Sequence, residues 1–257
     1  MNLFVRSLEK LARRYRSLEA EVVRAFLRKR RDKESHIRWL KAQAFKEYSA
    51  IKPLVAALMK LHPYIDKEVD RHQYEELGEK LADETKHARL IMDLLEEISD
   101  KKITPKDLLW LAEDKRLARI RARYSRTYAG FLHGSESPTL REIKRKDEEL
   151  ERAAITLTEG GGGALYQVCR KMNGGKIERK IAAVFNEIYL DEMRHKNAGA
   201  RVLQRLITTK RDYERAARII RSVSGQRLRM RNEQFGYPIS RRTVQKMRAE
   251  LARSLPT

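Results

Sequence analysis

Apolar residues recur along most of the chain at intervals of three and four, which is the period of an amphipathic α-helix. Near the N-terminus they form one stripe at seven positions: Phe4, Leu8, Leu11, Tyr15, Leu18, Val22 and Ala25. Such a stripe favours packing on the main domain, with pairing to a second chain or contact with a membrane surface as alternatives. No alternation of period two indicates a β-strand, and no repeat has a fixed length. The pattern therefore predicts an all-α protein.

Proline, glycine and capping residues divide this pattern into separate helices. Beyond the first helix, the predicted helices span about 35–62, 66–99, 104–128, 139–173, 177–220 and a short segment from 240. Pro53 predicts a bend in the helix over 35–62, and residues 134–138 form a predicted loop. Long helices joined by short turns favour antiparallel neighbours, so we expect a bundle of helical hairpins.

Basic residues are concentrated at the two ends of the chain. The 57 Lys and Arg exceed the 36 Asp and Glu, for a formal net charge of +21. Residues 1–33 hold eleven basic and four acidic side chains, and residues 201–257 hold fifteen and four. We predict a basic amphipathic helix over 1–33, a four-helix bundle over 34–220, and a basic tail with a short helix over 221–257. This charge attracts an acidic partner, namely nucleic acid, an acidic carrier protein or an anionic membrane, with a solvated arginine-rich surface as the alternative.

The single cysteine, Cys169, excludes a disulfide framework, a zinc site with cysteine ligands and an iron–sulfur cluster. It predicts a reducing compartment, and we expect the cytoplasm. No stretch approaches the ~20 apolar residues of a membrane-spanning helix, so no transmembrane segment is expected. The first residues include Glu9 and Glu19 and lack an apolar run, so we expect them to belong to the mature protein.

Two five-residue strings, at 83–87 and 191–195, share the pattern Asp-Glu-x-basic-His. Glutamate and histidine three positions apart lie on one face of a helix, so each string can present a carboxylate and an imidazole to the same point. Chance predicts about 0.6 Glu-x-x-His pairs in a chain of this composition, but only about 0.006 copies of the longer pattern. Two copies of the longer pattern therefore indicate a shared function.

Four glutamates lie at similar distances from two predicted turns, at 62–64 and at 174–175: Glu47, Glu84, Glu159 and Glu192. A helix rises 1.5 Å per residue, so all four lie about 23–30 Å from their turns and near one level of a bundle. Burial of four carboxylates and two imidazoles at one level is prohibitive unless cations neutralise them. The spacing therefore predicts a site for two divalent metal ions.

Each string also carries an aspartate and a basic residue with a predicted supporting role. Asp83 and Asp191 can accept a hydrogen bond from the ring N–H of a ligand histidine. Lys86 and Arg194 can balance the charge of those aspartates. Without metal, the same residues would form a buried network of glutamate, histidine and arginine, or lie on solvated faces.

Four glycines follow Glu159, at 160–163, where a core helix is predicted. In a helix they cost about 3–4 kcal/mol relative to alanine, and they leave space beside the metals. We interpret the gap as a cavity or a distorted helical turn that admits a substrate and O2, with close contact of a bulky neighbouring helix as the alternative. The predicted lining residues are Gly160, Gly162, Gly163, Tyr48, Tyr166 and Tyr189.

The predicted ligands resemble those of the ferritin-like di-iron carboxylate superfamily, which includes bacterioferritins, rubrerythrins, bacterial multicomponent monooxygenases and acyl-carrier-protein desaturases. They are Glu47, Glu84, His87, Glu159, Glu192 and His195. The resemblance covers residues 36–200. The two Glu-x-x-His strings are its specific part, whereas Glu47 and Glu159 are carried over by spacing alone, with Glu34 and Glu187 as rival carboxylates. It implies a ferritin-like four-helix bundle, in which a long, partly helical crossover joins two antiparallel hairpins.

The resemblance also implies a function: a non-haem oxidoreductase with two iron ions, or a manganese–iron pair, that activates O2 to hydroxylate, oxygenate or desaturate a bound substrate. The chain has no Cys-x-x-Cys module, so the electrons must come from an external donor, such as a reductase or a ferredoxin-like protein, or from the substrate. A ferroxidase or a peroxide-scavenging protein would use the same ligands. A nucleic-acid-binding protein with the bundle as its scaffold is an alternative from another class. Assembly as a homodimer is left open.

Overall fold

A computed structural model describes residues 3–67, 69–124, 138–159, 163–195 and 198–253. Over these ranges the chain is helical and forms no β-sheet, which confirms the all-α prediction. The helices are α1 (Leu3–Leu27), α2 (Lys33–Leu61), α3 (Arg71–Ser99), α4 (Ala112–Tyr124), α5 (Pro138–Glu159), α6 (Gly163–Cys169), α7 (Lys176–His195), α8 (Ala198–Leu206), α9 (Lys210–Gln234) and α10 (Arg241–Arg253). None of the described helices is long and apolar enough to cross a membrane.

Helices α2 and α3 form a hairpin. The side chain of Asp32 caps α2 by accepting a hydrogen bond from Ser35 N at 2.8 Å, and the helix then continues through Pro53. The chain reverses near Asp66, which has a φ of 62°, a left-handed conformation that aspartate tolerates better than most residues. Helix α3 therefore begins at Arg71, five residues later than the sequence predicts.

The second hairpin consists of interrupted helices. Helix α6 packs on α7 next to the turn at 170–175, and α5 packs on α8 farther from this turn. The structure replaces the single helix predicted over 177–220 by α7, α8 and the start of α9, because Thr209 begins a new helix. Its hydroxyl accepts a hydrogen bond from Asp212 N at 3.1 Å, and the Asp212 carboxylate accepts one from Thr209 N at 3.1 Å. Helix α3 packs on α7 and joins the two hairpins.

The segment between α3 and α5 contains less helix than the sequence predicts. Thr104 and Asp107 cap each other, but they enclose only a single 3-10 turn. Helix α4 begins at Ala112 and packs mainly on α9. Residues 125–137, which include most of the loop predicted at 134–138, lie outside the described residues.

The two basic ends of the chain pack against each other as core helices. Helix α1 lies along α9 and reaches α6. In the predicted N-terminal stripe, Leu8, Tyr15 and Val22 are at most 3% exposed, so the stripe packs on the main domain. Helix α9 runs to Gln234, and the boundary predicted at residue 220 therefore falls inside a buried helix.

Helices α5 and α8 approach each other most closely at Gly199. A Cβ atom at this position would lie 2.7 Å from Leu157 N and 2.8 Å from Ala153 O, which is too close for any side chain. The glycine thus lets the two backbones touch. This contact holds the end of α5, where the chain reaches Glu159, against α8.

Candidate metal centre

Three of the predicted ligands meet between α2 and α3. One ligand atom each of Glu47, Glu84 and His87 lies within 4.8 Å of the others, in a group that can hold a metal ion. Glu47 and His87 are buried, and Glu84 is half-buried. Glu84 and His87 face the same way because they are three residues apart on one helix.

The two ring nitrogens of His87 have different neighbours. Nε2 lies 3.3 Å from Asp191 Oδ2 of α7, and because a carboxylate can only accept, this nitrogen carries the proton of the neutral ring. Nδ1 is buried and has no hydrogen-bond partner among the described residues. Its lone pair is therefore available to a metal ion, as in other metal-bound histidines whose second nitrogen is held by a carboxylate.

Carboxylates from two further helices face this free nitrogen. Nδ1 of His87 lies 3.8 Å from Glu47 Oε2 on α2 and 4.0 Å from Glu192 Oε1 on α7. Two atoms that bind one ion at about 2.0–2.2 Å lie about 3–4 Å apart, so the separations leave room for an ion between them. Without an ion, a buried nitrogen with no partner would cost about 1–3 kcal/mol. The residues present therefore fit a metal.

The neighbouring charges connect the two strings across the α3–α7 contact. Lys86 Nζ lies 2.9 Å from Asp191 Oδ2 and 2.9 Å from Glu187 Oε1. The aspartate of the second string thus holds the histidine and the lysine of the first. Asp83 is half-buried on α3, one helical turn before His87.

Burial and repulsion by a neighbouring carboxylate keep Glu84 protonated in the absence of metal. The pKa of Glu84 is raised well above its ordinary value, first by burial and then by the Glu47 carboxylate beside it. The same two causes raise the pKa of the Tyr166 phenol. Tyr166 therefore stays protonated, and Glu84 holds a proton that a divalent ion would displace.

Two neutral side chains hold the Glu47 carboxylate. Tyr166 Oη on α6 donates a hydrogen bond to Glu47 Oε1 at 2.5 Å, and Gln43 Nε2 donates to the same oxygen at 2.5 Å. The sequence analysis missed Gln43. The available signal was its position four residues before Glu47, which places both side chains on one face of α2.

The other half of the predicted site lies largely outside the described atoms. Gly160 and Gly162 are not among the described residues, and the side chains of Glu159, Arg194 and His195 are not described. Glu159 is the last residue of α5 and His195 the last of α7, so each of these predicted ligands lies at the end of a helix. The ligands of a second ion remain a prediction.

The proposed lining residues differ in their positions. Gly163 is buried at the start of α6, and a Cβ atom there would meet nothing within 4 Å, so space remains beside it. Tyr166 contacts the ligand Glu47. The guanidinium carbon of Arg170 lies 4.0 Å from the ring centre of Tyr189. Tyr48 is 42% exposed, because the residue after Glu47 is turned about 100° around the helix axis.

The two rival carboxylates point towards solvent. The side chain of Glu187 is 48% exposed and pairs with Lys86, and Glu34 is exposed in the first turn of α2. No protein-family model, curated protein or solved structure matches the chain. The resemblance to ferritin-like di-iron proteins therefore rests on the two strings and on the geometry of this cluster.

Proposed function

We propose that the chain holds two iron ions in a ferritin-like four-helix bundle and activates O2 to hydroxylate, oxygenate or desaturate a bound substrate. The observation that carries this proposal is the buried Nδ1 of His87, which has no hydrogen-bond partner in the part of the chain that the structure describes and faces the carboxylates of Glu47 and Glu192 from two other helices. A metal-free network would use this nitrogen in a hydrogen bond. Ferrous ions bound there would supply electrons to O2, and a separate donor would reduce them again.

The residues of the chain have distinct roles in this proposal. Glu47, Glu84 and His87 bind metal from α2 and α3, and Glu192 binds it from α7. Asp191 holds the proton on Nε2 of His87, so that Nδ1 stays a ligand. Buried apolar side chains keep water away from the site. Among these, the ring of Phe185 lies 5.4 Å from that of Tyr166, centre to centre.

Metal analysis tests the centre itself. We expect protein loaded with Fe(II) without oxygen to retain about two ions per chain, and Glu84→Ala to lose at least one. Glu187→Ala removes a carboxylate of the same type that pairs with Lys86 on the surface, and it should retain both ions. Failure of the wild-type protein to retain any iron would contradict the proposal.

Exposure to O2 then separates the two di-iron functions. An oxygenase that lacks its substrate is expected to consume O2 in proportion to the two bound ions and to stop. Repeated additions of Fe(II) that are all oxidised and retained, far beyond two per chain, would favour a ferroxidase or storage protein instead.

A further inference from the structure

Polar side chains form a connected network that extends from the candidate metal centre to α1 and α9. No ligand is predicted on either of these two helices. The members of the network are Glu19 of α1, Gln43 and Lys46 of α2, Tyr166 of α6, and Arg231 and Gln234 of α9. All except Lys46 are less than a tenth exposed. Each buried polar group without a hydrogen-bond partner would destabilise the folded state. The hydrogen bonds of this network therefore show which groups hold one another in place.

The direction of these hydrogen bonds is fixed by Arg231. A guanidinium has only donors. Arg231 Nη1 lies 3.2 Å from Gln43 Oε1 and 2.5 Å from Gln234 Oε1, so both glutamine oxygens must face it. Lys46 Nζ donates to the same Gln234 oxygen at 2.7 Å. The amide nitrogen of Gln234 then donates to Gln43 Oε1 at 3.1 Å.

The amide nitrogen of Gln43 consequently faces the metal ligand. It donates to Glu47 Oε1 at 2.5 Å and to Tyr166 Oη at 2.9 Å. The Tyr166 hydroxyl accepts a hydrogen bond from Gln43 and donates one to the same Oε1 at 2.5 Å. This oxygen thus receives two hydrogen bonds, whereas Oε2 receives neither and lies 3.8 Å from Nδ1 of His87.

We propose that Arg231 of α9, acting through Gln43, makes Glu47 a ligand that binds metal through Oε2 alone. The inference rests on the metal centre proposed above. If the Gln43 amide were rotated by 180°, its oxygen would face the Glu47 carboxylate, so two acceptors would meet. Its nitrogen would face two donors, Arg231 Nη1 and Gln234 Nε2. Arg231 excludes that orientation. Gln43 and Arg231 are positioning residues, and the C-terminal part of the chain helps to determine how the metal is bound.

Glu19 balances the charge of Arg231. Its Oε2 lies 3.7 Å from Arg231 Nε, and both side chains are buried. Removal of one member alone would leave an unpaired buried charge, which is strongly destabilising, whereas replacement of both by apolar residues of similar size is often tolerated. The double variant E19L/R231M therefore removes the cation with least damage to the fold.

Co(II) is the probe for the test, because its visible absorption reports the number of ligands. Gln43→Met keeps the volume of the side chain and loses the donor. We expect its Co(II) affinity to fall about tenfold, as other losses of a group that orients a metal ligand do. We also expect the absorption to weaken, because Oε1 then accepts one hydrogen bond instead of two and can bind the ion as an additional ligand atom. E19L/R231M should show the same weakened absorption as Gln43→Met. Arg231→Lys keeps a donor, so its spectrum should match that of the wild type.

Gln167→Met is the matched control, because Gln167 neighbours Tyr166 on α6 and is exposed. It should bind Co(II) like the wild type. A wild-type protein that binds no Co(II) would refute the metal centre itself. Wild-type binding with an unchanged spectrum in Gln43→Met would refute only the positioning role. If Gln43→Met does not fold, identical Co(II) spectra for E19L/R231M and the wild type would refute the positioning role.

Discussion

At the scale of single residues, His87 takes its orientation from side chains on two other helices. Asp191 of α7 faces Nε2, and Glu47 of α2 faces Nδ1. Because the two nitrogens have different neighbours, the neutral ring has one preferred position for its proton. The metal-binding lone pair is thereby prepared before any ion arrives, which reduces the cost of binding.

This arrangement makes Asp191 a sensitive position. Asp191→Asn keeps the size of the side chain but removes the charge that holds the ring proton and Lys86. We expect the affinity for Fe(II) or Co(II) to fall about 10- to 100-fold, measured by competition with a coloured chelator. Asp93→Asn is the control, because Asp93 forms an exposed pair with Arg89 on the same α3 helix. An equal loss in the two variants would contradict a specific role.

The raised pKa of Glu84 predicts how the metal-free protein responds to pH. The folded state keeps a proton on Glu84 that the unfolded state releases above the ordinary pKa of 4.5. Its contribution to stability is therefore complete below that value and is lost as the pH rises through the folded pKa. In the presence of a chelator, we expect the unfolding temperature to fall with increasing pH. Glu84→Gln cannot ionise and should flatten this slope, so parallel curves for the two proteins would be inconsistent with the proposal.

The residues of the site differ in how far the sequence predicts them. Glu84 and His87 follow from their spacing, because an interval of three places two side chains on one helical face. The pairing of Asp191 with the histidine of the other string does not follow, since it depends on the contact of α3 with α7. Gln43 lies four residues before Glu47, but this spacing is a weak signal, because one amide in an apolar stripe resembles any satisfied core glutamine.

At the scale of helices, the contact of α5 with α8 determines where the Glu159 end of α5 lies. Gly199 permits this contact, since its missing side chain lets α8 touch the backbone at Leu157. The sequence did not distinguish this glycine from others, because glycine within a helix has no signature of close approach. The sequence predicts one helix over 139–173 with a cavity or a distorted turn at the glycine run, whereas α5 ends at Glu159 and α6 begins at Gly163.

Two glycine variants test the close contact. Gly199→Ala should reduce the free energy of unfolding by about 1–3 kcal/mol, because the added Cβ forces two helices apart. Gly78→Ala in α3 adds the same atom in open space, with nothing within 4 Å. It should raise the free energy of unfolding by about 0.5–1 kcal/mol through helix propensity alone. Denaturant titration measures both, and a stabilising Gly199→Ala would show that the helices are farther apart.

Helix boundaries were predicted best where proline or glycine ends a helix and least well where a capping pair begins one. The end of α2 before Pro63 agrees with the sequence to within one residue. The start of α9 was missed, although Thr209 and Asp212 have the spacing of a reciprocal cap. The apolar residues across 177–220 keep the helical spacing without a break. This spacing alone does not show where one helix ends and the next begins, so the start of α9 could not be predicted from it.

At the scale of the whole molecule, the two basic ends contribute side chains to the hydrophobic core as well as to the surface. One apolar cluster joins residues of α1, α5, α8 and α9, and another joins α1, α2, α3, α6, α7 and the end of α9. Both clusters cross the domain boundaries predicted at residues 33 and 220. Net charge describes what faces solvent, and it contains no information about the opposite face of the same helix.

A truncated chain tests whether the ends are separable. The fragment 34–220 lacks α1 and the last part of α9, so it exposes apolar surface that the whole protein buries. We expect it to bind a hydrophobic dye and to unfold without a cooperative transition, whereas a fragment of residues 3–253 should unfold cooperatively. Circular dichroism during heating measures the difference. A fragment 34–220 that melts sharply and retains Co(II) would show that the bundle is autonomous.

The hydrogen bond between Arg231 and Gln43 joins positions 188 residues apart. A nascent chain on the ribosome can already contain every predicted ligand while its Arg231 codon has not yet been read. Such a chain would offer Glu47 without the orientation that Arg231 imposes through Gln43. The proposed centre would therefore load metal selectively only after α9 has been synthesised.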